Sequence, residues 1–324
     1  MTTPTPGSVS GAESGNDVVR VTGLTKSFGR TRVLEDLDFS IEQNTITGLL
    51  GRNGAGKTTI MSILSGQEPK TRGDVRVLGA EPFENAAVLA RMCFVRESQK
   101  YPEDFKPRHV LKTGPWFFEN WDAGLAEELV EVFRLPVKTP IKKLSRGQLS
   151  AVAIIVGMAS RAPLTIFDEP YLGLDATARG LFYDYLLRDF MEHPRTILMS
   201  THLIDEVSNL LEKVIVIDRG RKVLDTSVED ARDAAFTVAG SATAIDDVVA
   251  GRRILRTQSL GGLRSVTIEG AADAALRRHA AERGLEIGPV GLQELVSAYG
   301  LLDEAPRPQR PAGSRTSDFE EVSR

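Results

Sequence analysis

Residues 51–58, "GRNGAGKT", constrain the fold of this chain more than any other segment. Glycine occupies the first and sixth positions, a lysine and a threonine follow, and the segment joins the strand-like run 45–50 to a helical pattern. Glycines let the backbone curl so that successive N–H groups face one anion at a helix N-terminus, where a lysine adds positive charge. The segment therefore predicts a loop that holds nucleotide phosphates between a strand and a helix.

This phosphate loop supplies most of the predicted nucleotide contacts. We expect Lys57 to bind β- and γ-phosphate oxygens and the Thr58 hydroxyl to bind Mg²⁺ beside them. A glycine-rich turn before an ordinary helix is the alternative, and the filled motif positions disfavour it. The predicted loop contacts are Gly51, Arg52, Asn53, Gly54, Ala55, Gly56, Lys57, Thr58 and Thr59.

Two carboxylates stand near the end of the segment 163–170, "PLTIFDEP". Open α/β sheets bind ligands at the carboxyl ends of their strands, so Asp168 is predicted to hold a metal ion or its waters beside the phosphates. Glu169 points differently from its neighbour and is a candidate to polarise an attacking water. A solvated acidic turn is the alternative interpretation.

A lone histidine, His202, follows the strand-like run 196–200. A histidine at such a place is more often a cap or a packed residue. In a nucleotide-hydrolysing fold, however, the end of a neighbouring strand lies near the γ-phosphate, where an imidazole could sense or stabilise that group. Position therefore makes His202 a catalytic candidate together with Glu169.

Residues 144–148, "LSRGQ", open an apolar helical run. Ser145 and the N–H of Gly147 at a helix N-terminus form a second candidate phosphate site. Because the phosphate loop already holds the nucleotide of this chain, the simplest geometry gives this second site to the nucleotide on another, head-to-tail copy. A plain N-terminal cap of the helix is the alternative.

The order and spacing of these segments resemble the ATP-hydrolysing subunit of ABC transporters, over roughly residues 18–232. The resemblance implies a RecA-like P-loop NTPase core with an inserted helical subdomain, an ATPase reaction with ATP and Mg²⁺, and a homodimer around two ATP. It also implies a separate multi-span membrane permease as partner, in a transporter of the bacterial exporter type. The segments that carry it are Phe28 and residues 51–59, 144–148, 163–170, 172–175 and 200–202.

The resemblance further implies roles for single residues. Phe28 is similar to the aromatic residue that stacks on adenine, and Asp175 to the residue that communicates across the dimer. Glu169 resembles the general base, and His202 the switch histidine. Arg146 stands where glycine is commoner in the signature loop, which acts across the dimer and comprises Leu144, Ser145, Arg146, Gly147 and Gln148.

One stretch departs from the family pattern. The coupling loop of the family commonly reads aromatic, apolar, proline, glutamine, whereas residues 93–104 read "CFVRESQKYPED". Glu97 occupies the expected glutamine position, and Gln99 follows two residues later. Either Glu97 or Gln99 is therefore the predicted coupling-loop ligand of the metal.

The pattern along the chain predicts an α/β fold with two domains. Strand and helix patterns alternate over residues 17–232, which favours a mostly parallel sheet with helices on both faces and a helical subdomain at about 98–160. Residues 233–302 follow the order strand, helix, strand, strand, helix, strand, typical of a small ferredoxin-like α+β domain. Residues 1–16 and 303–324 are predicted to be disordered tails.

Two features of this layout leave alternatives open. Trp116, residues 117–118 and Trp121 lie in the helical segment. Core packing is the favoured interpretation, and a groove that receives a coupling helix of the membrane subunit is the alternative. The C-terminal domain could brace the dimer or sense a ligand, because a fold does not determine function.

Composition excludes several classes of protein. With 40 Lys and Arg against 44 Asp and Glu, the net charge is −4, so no overall basic field for nucleic acid exists and no nucleic-acid partner is expected. Cys93 is the single cysteine, which fits a reducing compartment. The longest apolar run, 151–159, is far shorter than the ~20 residues that span a bilayer, and residues 1–17 lack a signal-peptide pattern.

We therefore expect a cytoplasmic protein, held at the inner face of the membrane by its permease partner. The main alternative is a soluble ABC-type ATPase that acts on the ribosome or on nucleic acid. The chain carries one cassette and no sustained heptads, which disfavours that alternative. A GTPase is weaker still, because no Asn-Lys pair that could belong to a guanine-reading motif occurs in the sequence.

Overall fold

The computed structural model describes residues 16–96 and 99–299. Glu97 lies outside the described residues, and so do residues 1–15 and 300–324, on which most of the two tail predictions fall. Over the described ranges the predicted alternation of strands and helices is confirmed.

The strands in the first third of the chain belong to two different sheets. β1 pairs antiparallel with β2 on one side and with β4 on the other, which gives a three-stranded outer sheet. β3 is buried along its whole length, as expected for a strand covered on both faces. The elements are β1 (Asp17–Phe28), β2 (Thr31–Glu42), β3 (Ile46–Leu50), α1 (Lys57–Leu64), β4 (Arg72–Val77), α2 (Ala86–Leu89) and β5 (Met92–Arg96).

A helical segment follows β5. It contains α3 (Pro107–Phe117), α4 (Ala123–Val132), a 3-10 turn (Ile141–Lys143) and α5 (Arg146–Ala159). The Asp122 carboxylate caps α4 by accepting a hydrogen bond from the Leu125 amide at 2.8 Å. The apolar α5 is largely buried, and it packs on α4 and on β5.

The chain then completes the central sheet. Its six strands lie in the order β5-β6-β7-β3-β8-β9, all parallel except the last, which pairs antiparallel with β8. The short helix after β7 ends at Val207, because Ser208 and Asn209 follow and favour turns. The elements are β6 (Leu164–Asp168), α6 (Ala176–Glu192), β7 (Thr196–Ser200), α7 (Ile204–Val207), β8 (Lys213–Asp218), β9 (Arg221–Ser227) and α8 (Val228–Asp233).

A four-stranded antiparallel sheet forms the C-terminal part, in the order β11-β12-β10-β13. Apolar side chains of α9 and α10 bury one face of this sheet in a core of its own. The last helix, α11, packs instead against α7 and α8 and joins the main core. The elements are β10 (Ala235–Ser241), α9 (Ala242–Val249), β11 (Ile254–Leu260), β12 (Leu263–Glu269), α10 (Ala274–Glu282), β13 (Glu286–Pro289) and α11 (Leu292–Tyr299).

The central sheet separates two apolar cores. One lies between it, α1 and the outer sheet. The other holds α5, α6 and the inserted helices on the opposite face. Both faces of the parallel sheet are therefore covered, which fixes the strand ends as the place where polar side chains can gather.

The aromatic cluster of the helical segment divides between core and surface. Phe118 and Trp121 stack at 6.3 Å between ring centroids and pack against the main core, as predicted. For Trp116 and Phe117 the core-packing prediction is wrong, since they are 75% and 67% exposed. They lie at the end of α3, where the turn before Trp121 directs them away from the core.

Among the described residues, every helix falls short of the combined length and hydropathy that crossing a bilayer requires.

Candidate nucleotide site

Three parallel strands bring the predicted residues to one edge of the central sheet. β7 lies between β3 and β6, and Ser200 at its carboxyl end pairs with Leu49 on one side and Asp168 on the other. The loop after β3 runs into α1. The phosphate loop and the Asp168 carboxylate therefore face the same space beyond the strand ends, as parallel sheets favour.

A cavity of about 550 Å³ occupies this space. The structure thus brings together the phosphate loop, both carboxylates and the histidine that the sequence predicted. Two apolar residues complete the wall: Val33, which the sequence did not indicate, and Leu172, the first residue of the segment 172–175. The described lining residues are Val33, Asn53, Gly54, Gly56, Lys57, Thr58, Thr59, Asp168, Glu169, Leu172 and His202.

Close packing of the loop explains two of its glycines. Gly51 has φ 148°, and a Cβ on it would lie 2.1 Å from the Ile217 carbonyl oxygen. Gly56 has φ 109°, and its Cβ would lie 2.5 Å from a methyl carbon of Leu34. Both positions are therefore closed to larger residues by their surroundings as well as by their backbone angles.

The ammonium group of Lys57 is folded into the loop. It donates hydrogen bonds to the carbonyls of Gly51 at 2.7 Å and Arg52 at 3.2 Å. Burial lowers the pKa of Lys57, and the carboxylates of Glu169 and Asp168 oppose that shift. The cation is thus placed beside two anions in a partly desolvated cavity, where a bound phosphate would add negative charge to its surroundings.

Ser200 fixes the two carboxylate residues relative to each other. Its hydroxyl donates to Asp168 Oδ1 at 2.6 Å and accepts from the backbone N–H of Glu169 at 3.1 Å. Glu169 has φ 47°, in the left-handed region that few non-glycine residues adopt. Such strain is commonest where function requires it, and here it turns the chain directly after the metal-ligand candidate.

The two catalytic candidates are in direct contact. His202 Nδ1 lies 2.9 Å from Glu169 Oε2, and the Glu169 side chain is only 16% exposed. A neutral imidazole that donates from Nδ1 keeps Nε2 as an acceptor, whereas an imidazolium donates from both nitrogens. The Glu169 carboxylate can therefore accept a hydrogen bond from His202 Nδ1 in either form of the ring, and only the protonated ring also donates from Nε2.

Tyr171 supports this pair through its hydroxyl, and no sequence pattern indicated that role. Its hydroxyl lies 2.7 Å from the Thr201 hydroxyl and 3.3 Å from His202 Nδ1, and it accepts from the backbone N–H of His202 at 3.0 Å. Burial raises the pKa of Tyr171 to about 12. The phenol stays neutral and holds the turn that carries His202.

The signature-loop candidates lie outside the cavity of their own chain. The Ser145 hydroxyl accepts from the Gln148 N–H at 3.2 Å, and the Gln148 side chain accepts from the Ser145 N–H at 3.0 Å, so the two form a capping box. A Cβ on Gly147 would lie 2.5 Å from the Gly173 carbonyl oxygen. The loop is therefore a helix cap that packs on the segment after Glu169.

The remaining candidates lie around the cavity rather than in its wall. Phe28 ends β1 with its ring 46% exposed, and the ammonium of Lys26 lies 4.4 Å from the ring centroid. The Asp175 carboxylate caps α6 by accepting from the Ala178 N–H at 2.8 Å. Gln99 is partly buried and donates its backbone N–H to the Arg96 carbonyl at 3.2 Å.

The oxygen donors present fit Mg²⁺. Asp168 uses Oδ1 for Ser200 and has a second carboxylate oxygen, and the exposed Thr58 hydroxyl lines the same cavity. Among the described residues no group of three or more His, Cys, Asp or Glu side chains could hold a metal by itself. Mg²⁺ is commonly held by one or two protein oxygens together with phosphates and water, so this sparse set suits it.

Sequence comparison finds that this chain is similar to known transport proteins. A family model described as ABC transporter matches residues 34–172. The Nod factor export ATP-binding protein I of Sinorhizobium fredii is 33% identical over 222 residues, which cover 66% of this chain and 64% of that protein. The aliphatic sulfonates import ATP-binding protein of Nocardia farcinica is 34% identical over 212 residues, which cover 65% of this chain and 82% of that protein. The chain thus spans less than two thirds of the export protein.

Structure comparison gives the fold of the same part. A dimeric ATP-binding cassette in a post-hydrolysis state, bound to ADP and Pi, matches with a TM-score of 0.57 at 20% identity. The match covers 65% of this chain and 98% of that chain. The α/β fold of an ATP-binding cassette, with a mixed sheet, is therefore established for about two thirds of the chain.

Proposed function

We propose that this chain hydrolyses ATP to drive a separate membrane-spanning exporter subunit. This proposal proceeds from its family, since the chain belongs to the ATP-binding subunits of ABC transporters and is an ABC-type ATPase. The observation that carries the proposal is the single cavity where Lys57, Asp168, Glu169 and His202 meet. Hydrolysis of a γ-phosphate needs a cation, a metal ligand, a base and an imidazole in one place.

The hydrolytic step assigns roles to the contacting pair. Glu169 polarises the attacking water, because its carboxylate lies in the cavity wall beside the phosphate loop. His202, held by Glu169 Oε2 at 2.9 Å, donates to the γ-phosphate when its ring is an imidazolium. Lys57 stabilises the charge that develops on the phosphate oxygens.

Asp168 and Thr58 would hold Mg²⁺, together with Glu97 or Gln99 from the coupling loop. When bound, the ion supplies charge neutralisation at the phosphates. Gln99 is not among the described residues that line the cavity, and Glu97 lies outside the described residues. Titration of Mg²⁺ against the ATPase rate of Glu97→Gln and Gln99→Ala distinguishes these two candidates for the third ligand.

Dimerisation completes the proposed site. Ser145 and Gly147 do not line the cavity of their own chain, although they sit at an exposed helix N-terminus. This separation supports the proposal that they bind the γ-phosphate of a second copy, so that a homodimer encloses two ATP. Asp175, at the start of α6, would then contact the partner copy, and Phe28 would stack on adenine.

An apolar groove gives the membrane partner a place to dock. The inserted helices and α2 enclose a cavity of about 720 Å³ lined mainly by aliphatic and aromatic side chains. The exposed rings of Trp116 and Phe117 stand at its mouth. We assign it to a coupling helix of the permease, which would hold this chain at the inner face of the membrane.

Three finer assignments complete the proposal. Export is favoured because the Nod factor relative exports by name, although the sulfonate relative imports. The helical segment between β5 and β6 would be the mobile subdomain of the cassette. The strand order of the C-terminal sheet, with its two helices on one face, supports a ferredoxin-like domain that braces the dimer or senses a ligand.

Reconstitution tests the function. The purified full chain is combined in proteoliposomes with any multi-span membrane protein that the neighbouring reading frame encodes. With its partner it should hydrolyse ATP faster than alone, and Lys57→Ala should remove both rates. Trp116→Ser with Phe117→Ser should remove the stimulation. Leu260→Ser with Leu263→Ser, an equally exposed apolar pair in the C-terminal sheet, should retain it. Activity that depends on ribosomes or nucleic acid instead would support the soluble ATPase alternative.

A further inference from the structure

A second polar cavity lies at the opposite edge of the central sheet. It has a volume of about 420 Å³ and is lined by residues that precede β3, β5, β6 and β7, among them Asn44, Arg91, Pro163 and Arg195. Since β6 and β7 are five residues long, the sheet separates it from the nucleotide cavity by about 15 Å.

Arg195 is buried in the wall of this cavity without enough acceptors. Its side chain is 4% exposed, and only Nη1 is bonded, to Asp189 Oδ2 at 2.7 Å and to the His193 carbonyl at 3.4 Å. Its Nε and Nη2 have no hydrogen-bond acceptor among the described residues. A buried guanidinium with unmatched N–H groups is costly, so a group that accepts these bonds is expected in the cavity.

Arg161 adds a second incompletely bonded guanidinium. Its two terminal nitrogens bind Asp122 at 2.8 Å and Asp189 at 2.9 Å, while its buried Nε has no acceptor among the described residues. Nε carries one hydrogen and Nη2 carries two. Arg195 and Arg161 together therefore present four N–H bonds that lack an acceptor in the described part of the chain.

The charge balance favours an anion. Arg91, Arg161 and Arg195 line the cavity, and Asp17 is the one carboxylate in the described lining. Asp17 Oδ1 has no partner among those residues either, while its Oδ2 pairs with Arg20 at 3.2 Å. Asp122 and Asp189, which pair with Arg161 and Arg195, are not in that lining, so the described lining carries three guanidinium groups against one carboxylate.

We propose that this cavity is a second anion site, which binds a small oxyanion such as inorganic phosphate through Arg91, Arg161 and Arg195. Guanidinium groups match the oxygen geometry of such anions and bind them in pairs of hydrogen bonds. A hydrogen phosphate also carries an O–H group, from which Asp17 Oδ1 can accept a hydrogen bond. Because Arg161 bonds to the capping carboxylate of α4, occupancy would stiffen the joint between the inserted helices and the core.

Calorimetric titration of inorganic phosphate into the full chain tests this site. The nucleotide cavity is first saturated with ADP, and ionic strength is held constant with chloride. We expect one saturable site, and the same site in Lys57→Ala without ADP. Loss of phosphate binding in Lys57→Ala would assign it to the nucleotide loop and overturn the proposal, while leaving the proposed ATPase function intact.

Three variants locate the binding. Arg195→Lys keeps the positive charge beside Asp189 but loses the fork of donors, so affinity should fall at least roughly tenfold. Arg91→Gln, which changes an exposed side chain, should weaken binding severalfold and serves if Arg195→Lys does not fold. Arg72→Gln, the same charge change on the exposed face of β4, should bind as wild type.

Equal affinity in Arg195→Lys, Arg91→Gln and wild type would refute the assignment, and so would the absence of saturable binding at millimolar phosphate. Sulfate and acetate titrations at the same ionic strength identify the anion class. Binding of either one with the same sensitivity to Arg195→Lys supports the site. Tighter binding of phosphate than of sulfate would support a role for Asp17 as acceptor of the phosphate hydrogen.

Discussion

Glu169 Oε2 and His202 Nδ1 lie 2.9 Å apart, although the two residues come from the ends of different strands. Ser200 and Tyr171 hold the two partners, the first through the Glu169 N–H and the second through the His202 N–H. If Glu169 activates the attacking water and His202 contacts the γ-phosphate, both residues act in the hydrolytic step. Changes at either residue should therefore affect hydrolysis more than nucleotide binding.

Glu169→Gln tests the base. The substitution keeps the shape of the side chain and removes its ability to take a proton from water, so turnover should fall at least roughly a hundredfold. ATP affinity should stay near wild type, because Lys57 and the loop are unchanged. Gel filtration with ATP and Mg²⁺ should then show a stable dimer.

Glu192→Gln provides the matched control, since it makes the same change at the exposed end of α6. It should keep the wild-type rate. Near wild-type turnover in Glu169→Gln would show that another group activates the water.

Tyr171→Phe tests the residue that the sequence did not reveal. It leaves the Thr201 hydroxyl and the His202 N–H without their buried partner, at a cost of about 1–3 kcal/mol in the free energy of unfolding. If Tyr171 orients His202, kcat should fall about tenfold while KM for ATP changes little. Tyr185→Phe removes a hydroxyl bonded to Glu128 at the surface and should leave both constants unchanged.

Because the pKa of Tyr171 is raised, we expect wild type and Tyr171→Phe to lose stability differently at alkaline pH. Below pH 10 the phenol is neutral in both the folded and the unfolded chain. Between pH 10 and about 12 the unfolded chain ionises while the folded chain does not, so this contribution to stability is lost as pH rises. Thermal melts should show a shallower decline over that window in Tyr171→Phe than in wild type. An identical decline would contradict a buried, neutral phenol.

Ser145→Arg tests action across the dimer. If Ser145 serves the opposite chain, the variant should bind nucleotide nearly as the wild type does but lose cooperative ATPase activity. Mixing it with Lys57→Ala should restore one competent site per heterodimer, because each chain supplies what the other lacks. ATPase assays over a range of mixing ratios measure the recovery.

Loss of the helix cap is the confounding effect, at about 0.5–2 kcal/mol. Ser241→Arg removes an equivalent cap from α9, where the Ser241 hydroxyl accepts from the Ala244 N–H at 3.4 Å. It should lower stability without affecting cooperativity. No recovery at any mixing ratio would place both halves of the site in one chain.

Sequence predicted the strands, the loop and the catalytic candidates because each depends on local pattern. Residues 51–58 and the strand that ends at Asp168 carry their geometry in composition and spacing. Exposure of Trp116 and Phe117 was missed, because whether an aromatic residue is covered depends on how helices meet rather than on its type. Tyr171 was missed for the same reason: a tyrosine after a turn carries no signal until the neighbouring strand places Thr201 and His202 around its hydroxyl.

The buried network of charged side chains could not be predicted from the sequence either. Arg161, Asp189 and Arg195 are scattered over more than thirty residues and match no motif. Only the convergence of β6 and β7 at one edge brings them together. Asp189, 3% exposed on α6, bonds both arginines and shows that ordinary surface residue types can form a buried network.

The coupling loop gives the last prediction, because Glu97 and Gln99 are both candidates for the same role. A glutamine would bring a neutral oxygen to Mg²⁺, whereas Glu97 would bring a full negative charge close to Asp168 and the phosphates. Like charges are costly there unless the metal lies between them. If Glu97 is the ligand, Glu97→Gln should shift the Mg²⁺ concentration for half-maximal ATPase activity more than it changes metal-free ATP affinity. Gln99→Ala should leave the Mg²⁺ dependence near wild type.

We favour Glu97 because in the sequence it directly follows Arg96, the last residue of β5, and Arg96 pairs with Asp168 in the sheet. Gln99 is fixed by a single backbone hydrogen bond to Arg96 at 3.2 Å among the described contacts. Titration of Mg²⁺ against ATPase rate distinguishes them. A wild-type curve for Glu97→Gln, together with a shifted curve for Gln99→Ala, would assign the ligand to Gln99 and show that the loop runs two residues longer here than in the family pattern.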